Sequence, residues 1–259
     1  MNIKSFLERK KSGEPLTMLT AYDYTQTLWC CAAGIDAILV GDSLGNVIQG
    51  KGTTLSVTLD EMIYHTEIVT RIAKQKCDAK SRPLVVADMT FPFGHTGIED
   101  GVAQAARVIK VTGCDAVKVE TTWEDAPLIS ALVKAGIPVM AHIGLRPQQI
   151  LNLGKFSIQK AEKALLKDAD AVADAGAFSV VLECVDADLA EKITRQVPIP
   201  TIGIGSGAGC DGQILVVTDL LGMDPDFVPK HARQYATLAK TAIDAIKGYV
   251  SDVKKRKFP

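Results

Sequence analysis

A chain of 259 residues with 47% hydrophobic content suits one barrel-sized domain with a filled interior and a surrounding helix shell. Its formal charge of −1 gives no global field that would draw nucleic acid or an anionic membrane, and the basic stretch Lys254, Lys255, Arg256, Lys257 is short enough to read as a solvated end. No apolar run approaches the roughly 18 residues needed to span a bilayer, and Met1 to Leu19 lacks the pattern of a signal peptide, so a soluble protein is expected.

Along the chain, short apolar runs recur at Thr17 to Ala21, Asp36 to Val40, Leu84 to Ala87, Ala116 to Val119, Val139 to Ala141, Ser179 to Leu182, Thr201 to Ile204 and Ile214 to Val217. Continuous apolarity implies strands buried on both faces, and helical spacing between them (Ile98, Val102, Ala105, Ala106, Ile109) supplies the crossovers of a parallel sheet. Thr58 with Glu61, Thr96 with Glu99 and Thr122 with Asp125 read as capping boxes at helix starts. Gly34, Gly113, Gly136 and Gly176 sit where a left-handed residue ends a helix before the next strand. Eight such runs favour a closed (β/α)8 TIM barrel, one domain over 1–259, above an open doubly wound sheet. The connection from Gly144 to Ser157 is long for a barrel and reads as an active-site loop able to act as a cover. The six cysteines include no C-x-x-C pair, which suits buried reduced thiols in a reducing cytoplasm.

Barrels present reactive groups at the C-terminal ends of their strands, and here nearly every strand ends in one: Asp23, Asp42 with Ser43, Asp88, Lys118 with Glu120, His142, and Glu183. Any single acid there is more simply a helix N-cap, but the whole set points to one mouth. Carboxylates with a hydroxyl suit an oxygen-ligated divalent cation such as Mg²⁺, which keeps waters and shares its octahedron with substrate. Zinc fits less well, because His65, His95, His142 and His231 are scattered and no paired spacing exists; His65 reads as a helix residue with a structural partner. Lys118 and Glu120, two apart on one strand, face the same way, so a cation for a substrate carboxylate sits beside an anion for a metal. Glu183 closes the apolar run Val180, Val181, Leu182, where its charged form is disfavoured, as in a base for carbon-bound protons. The glycine-rich stretch Thr201 to Asp211 matches no phosphate-loop pattern and reads as tight chain packing.

The segments TAYDY (20–24), LVGDSLG (39–45), TLDEMIYHT (58–66), VVAD (85–88), VKVE (117–120), HIGLRPQ (142–148), VLECV (181–185) and TIGIGSGAGCDGQILV (201–216) together resemble the ketopantoate hydroxymethyltransferase family. The resemblance implies transfer of a hydroxymethyl group from 5,10-methylenetetrahydrofolate to 3-methyl-2-oxobutanoate, giving 2-dehydropantoate for pantothenate synthesis, by a cytoplasmic, Mg²⁺-dependent homo-oligomer, often a decamer. By position, it implies Asp42, Asp88 and Glu120 at the metal, Ser43 and Lys118 on the oxo acid, and Glu183 as general base. His142 lines the same mouth and is expected to bind substrate or to hold a structural hydrogen bond.

The match breaks in three places. Thr121 and Thr122 stand where the family usually has two glycines, 154–159 replaces a longer glycine-rich tract, and Met89 to His95 departs from the usual sequence after Asp88. These departures keep open a second expectation, a related enolate-forming lyase or aldolase acting on another 2-oxo acid. They also keep a third in view, a barrel retained for assembly without chemistry.

Overall fold

The apolar runs become one closed parallel barrel in the computed structural model, which describes residues 1–78, 81–155, 157–230 and 232–258. The strands are β1 (Leu16–Thr20), β2 (Ala37–Val40), β3 (Leu84–Asp88), β4 (Ala116–Glu120), β5 (Val139–Gly144), β6 (Ser179–Glu183), β7 (Thr201–Ile204) and β8 (Gly212–Leu215). Seven agree with the sequence reading to within a few residues. The eighth lies two residues earlier than expected, because the apolar run Ile214 to Val217 bridges a strand end and the first residue of the following helix.

The helices in chain order are α1 (Ile3–Ser12), α2 (Tyr24–Ala33), α3 (Leu44–Val47), α4 (Leu59–Lys76), α5 (Ile98–Thr112), α6 (Ala126–Lys134), α7 (Ile150–Leu153), α8 (Glu162–Asp174), α9 (Ala187–Gln196), α10 (Val217–Leu221) and α11 (Leu238–Lys254). The capping boxes of Thr58 with Glu61 and of Thr122 with Asp125 form as expected, as does the positive φ at Gly34, Gly113, Gly136 and Gly176. Thr96 does not cap α5. Gly97 takes the N-cap position and the Thr96 hydroxyl instead donates to Asp100.

Two compact units make up the chain, Met1–Ile214 and Leu215–Pro259. The second contains α10 and α11, the latter with no buried residue. In the first, Leu16, Met18, Leu39, Val86, Met140 and Ile202 point inward and fill the barrel. Phe6 on α1 joins this cluster, fully buried, with its ring edge-on to Phe178 at 5.5 Å. The helix α1 was missed in the sequence, although Ile3, Phe6 and Leu7 lie on one helical face and Gly13 ends the helix in left-handed geometry.

The cysteines correct one expectation. Cys31 and Cys77 form a disulfide between neighbouring helices α2 and α4, 46 residues apart in sequence, while Cys30, Cys114, Cys184 and Cys210 are free. No motif spacing marked that pair, because only the packing of two helices brings them together. Among the described residues no helix is long and apolar enough to cross a membrane.

Truncating the ring that α1 contributes to the barrel floor removes a fully buried aromatic. Phe6→Ala is expected to lower unfolding free energy by about 3–5 kcal/mol, measured by denaturant titration. A loss below about 1 kcal/mol would show that α1 does not contribute to the core.

Candidate active site

Strand register sets the geometry of the mouth. Across parallel strands, paired residues face the same side, and along one strand residues two apart do so. Asp88 pairs with Lys118; two residues on, Glu120 pairs with His142; two further, Gly144 pairs with Glu183. One inward-facing row therefore climbs through β3, β4, β5 and β6. Two residues below Asp88, Lys118, His142 and Glu183 lie Val86, Ala116, Met140 and Val181, all in the apolar interior, while Glu120 stands above Lys118 itself. The polar row is the next layer of the same barrel core, at the end where strands finish.

Lys118 is the hub of the row. Buried to 4% exposure, its Nζ lies 2.9 Å from Asp88 Oδ1 and donates to His142 Nδ1 at 3.2 Å. Burial alone would lower its pKa, but Asp88, Asp42 and Glu120 together raise it, so the ammonium stays charged. Asp88 moves the other way from an ordinary carboxyl. Burial first, and the neighbouring Asp42 next, lift it to about 7 despite the pull of Lys118. Glu120 is raised well above the usual carboxylate range by burial, Asp42 and Asp88. His142 is lowered by burial and by Lys118, and is neutral at pH 7.

With Lys118 donating to Nδ1, the His142 proton belongs on Nε2, which lies 3.3 Å from Glu183 Oε2 without the alignment of a full hydrogen bond. Glu183 itself is partly open at the rim, less enclosed than its apolar run suggested. Cys184 behind it has φ 49, an uncommon left-handed setting for a residue with a side chain. Ahead of it, Gly144 has φ 96, and a Cβ there would stand 2.5 Å from the Glu183 carbonyl; only glycine allows β5 to pass so close.

Asp42 and Ser43 complete the mouth from β2. The Asp42 N–H donates to Asp88 Oδ2 at 3.2 Å, and the Ser43 hydroxyl is 2.7 Å from the Tyr22 hydroxyl. Tyr22 is held in turn from α4, where His65 Nδ1 meets its carbonyl at 2.6 Å, the structural partner expected for that histidine. Asp23 lies apart from this set as the N-cap of α2, accepting from the Gln26 N–H. His95 lines a small pocket beside Glu120 with Phe91, Phe93 and Arg146; His231 lies outside the described residues.

Tyr22 and Gln148 stand within the TAYDY and HIGLRPQ segments, yet nothing in the sequence assigns either a role. Neither carries a pattern that marks it, since Tyr and Gln are ordinary residues until folding buries them. Gln148 comes from the long connection after β5, whose first half is a short 3-10 turn, Pro147–Gln149, docked on the mouth. Phe156 in the altered tract is outside the described residues. The glycine-rich stretch proves tightly packed, as at Gly207, where a Cβ would meet Ala187 at 2.6 Å.

Among the described residues no three His, Cys, Asp or Glu side chains already converge as a complete metal cage. The donor set nonetheless suits a hard divalent cation that takes its other ligands from water and substrate. The Asp42 charge raises Asp88 and Glu120, Asp88 raises Glu120 further, and buried Asp88 Oδ1 has no hydrogen-bond partner beyond its ion pair with Lys118.

The sequence model of the ketopantoate hydroxymethyltransferase family matches residues 1–259. A 3-methyl-2-oxobutanoate hydroxymethyltransferase of Enterococcus faecalis is 51% identical over 98% of this chain and 92% of its own length. One from Carboxydothermus hydrogenoformans is 47% identical over 100% of this chain and 93% of its own length. The barrel resembles that of 2,3-dimethylmalate lyase, a member of the PEP mutase/isocitrate lyase superfamily, with TM-score 0.62 at 17% identity, covering 99% and 88% of the two chains.

Nitrogen NMR on the histidines tests the electrostatics of the row. His142 is expected to stay neutral, with its proton on Nε2, from about pH 8 down to below its ordinary pKa of about 6.5, since burial and Lys118 both oppose a second proton. An imidazolium at pH 7, or a proton on Nδ1, would contradict the assigned network.

Proposed function

The chain belongs to the ketopantoate hydroxymethyltransferase family, and from that premise we propose that it transfers a hydroxymethyl group from 5,10-methylenetetrahydrofolate to 3-methyl-2-oxobutanoate, giving 2-dehydropantoate. The observation that carries this reading is the single inward row Asp88, Lys118, Glu120, His142 and Glu183, joined at the mouth by Asp42 and Ser43. It offers fixed positive charge, a cluster of acids and a separate carboxylate within one space.

Lys118 holds the substrate carboxylate, since it is charged, buried and pre-oriented by Asp88 and His142. Ser43, steadied by the Tyr22 hydroxyl, donates to the same substrate. Glu183 takes the proton from C3, and neutral His142, with its Nε2 proton toward that carboxylate, keeps it aimed inward. Asp42, Asp88 and Glu120 would hold a divalent cation, Mg²⁺ by donor chemistry, which when bound supplies the positive charge that stabilises the enolate as C3 loses its proton. The electron pair left at C3 then bonds to the methylene carbon of the folate as one of its C–N bonds breaks, and water replaces the other folate nitrogen, so that a hydroxymethyl group stays on C3 and tetrahydrofolate leaves. We read residues 1–259 as one barrel domain, acting as a cytoplasmic homo-oligomer of up to decamer size on small molecules; the full-length family match supports this.

Incubation with Mg²⁺ and 3-methyl-2-oxobutanoate in D₂O should deuterate C3, and adding methylenetetrahydrofolate should then give product. Deuteration without transfer would favour the related lyase or aldolase, whose superfamily shares this barrel; neither outcome would leave an assembly role. Glu183→Gln should abolish exchange and spare cation binding, whereas Asp88→Asn should weaken cation affinity. Unchanged exchange in Glu183→Gln would remove that residue from the role of base.

A pH experiment follows from the raised carboxyls. Below its pKa of about 7 Asp88 holds a proton that an arriving cation must displace, and Glu120 is shifted in the same direction. Binding of Mg²⁺ should therefore release protons, and apparent affinity should rise from about pH 6 to about pH 8 and then level off. Calorimetry in buffers of different ionisation enthalpy reads this directly, and a pH-independent affinity would contradict it.

A further inference from the structure

Gln148 is a polar side chain buried at 8% exposure that no step above employs. Its Nε2 donates to Asp42 Oδ2 at 2.9 Å and to the Met89 carbonyl at 2.8 Å, so both amide hydrogens are used. Its backbone N–H donates to Glu120, 3.1 Å from Oε2 and 3.3 Å from Oε1. One residue from the loop after β5 thereby grips an acid beyond β2, an acid ending β4 and the chain just past β3. These acids lie 106 and 28 residues away in sequence.

Two carboxyl groups that must both be ionised around one cation repel each other in that form, and their side chains would rotate apart unless each were tied. The amide and N–H of Gln148 are neutral donors, so they fix orientation without neutralising the charge a cation needs. Its side-chain amide engages one oxygen of Asp42, and its main chain straddles the two oxygens of Glu120. The loop that looked like a cover is, at Gln148, part of the wall.

We propose that Gln148 is a positioning residue that sets the Asp42 and Glu120 carboxylates for a divalent cation, an inference that rests on the metal reading above. Outer partners of metal ligands commonly change affinity by about 10–100-fold when removed. Gln148→Met keeps the size and loses both side-chain donors, and is expected to weaken Mn²⁺ binding by that factor.

The test titrates Mn²⁺ into metal-free full-length protein, following free Mn²⁺ by electron paramagnetic resonance, with thermal melts of the same metal-free samples. Metal-free melting within a few degrees of the wild type separates positioning from general damage. Gln148→Asn keeps an amide but withdraws it by one methylene; it should lose affinity by less, and serves if the Met variant does not fold. Unchanged affinity in a folded variant would overturn the proposal, and so would a gain, which would make the amide an occupant of the cation's place. No Mn²⁺ binding by the wild type would overturn the metal reading and this inference together, whereas wild-type binding that the variants match overturns this inference alone.

Discussion

One ammonium set among three carboxylates governs this mouth. Lys118 is nearly fully buried and carries the only fixed positive charge in the row, facing Asp88 directly with Asp42 and Glu120 near enough to act on it. Burial first, and crowding of like charge next, make Asp88 and Glu120 hold protons more tightly, while the same acids make the lysine hold its own. His142 feels the same ammonium and responds by staying neutral, which decides its tautomer and the direction of its remaining proton. The protonation states at the mouth thus follow from burial of the whole row, with the lysine pulling the acids and the histidine down.

The barrel makes that burial affordable. Parallel strands in register carry inward faces upward in steps of two, so an apolar layer of Val86, Ala116, Met140 and Val181 lies directly under the polar row. The polar side chains are therefore held on strands packed on both sides, and the charged groups inherit that rigidity. Gly144 shows the tolerance involved, since the row reaches Glu183 only because β5 carries no side chain at its last residue.

Much of this was legible in the sequence, for a physical reason. Strand ends are where continuous apolarity stops, so a polar residue that closes an apolar run marks both an element boundary and a position at the mouth. Asp42, Asp88, Lys118, Glu120, His142 and Glu183 were found that way, and the structure brings them to one end of the barrel, while Asp23 satisfied the same rule and turned out to be a helix cap. What escaped depends on chain segments meeting. The Cys31–Cys77 bond needs two helices side by side, α1 shows its purpose only when Phe6 meets the barrel floor, and Gln148 differs from any loop glutamine only by the acids it reaches. The boundary of β8 slipped because valine and isoleucine serve equally well at a strand end and a helix start.

The departures from the family pattern fall outside the charged row. Thr121 gives both its N–H and its hydroxyl to the His142 carbonyl, fastening the end of β4 to β5, and Thr122 caps the turn that follows. Both threonine hydroxyls are thus engaged, Thr121 with the His142 carbonyl and Thr122 with Asp125 and the Glu124 N–H. Beyond them Trp123 stands exposed, its N–H donated to Asp168 and its ring covered by Lys167 at 3.1 Å, a cation–π contact at the rim. Phe91 and Phe93, in the third altered segment, line a small pocket with Glu120 and Arg146. Met89, Thr90 and Thr121, though they differ from the family pattern, are buried directly beside Asp88 and Glu120 in the chain. The altered segment after β3 still reaches the row through its backbone, because the Met89 carbonyl accepts from the Gln148 amide that also donates to Asp42.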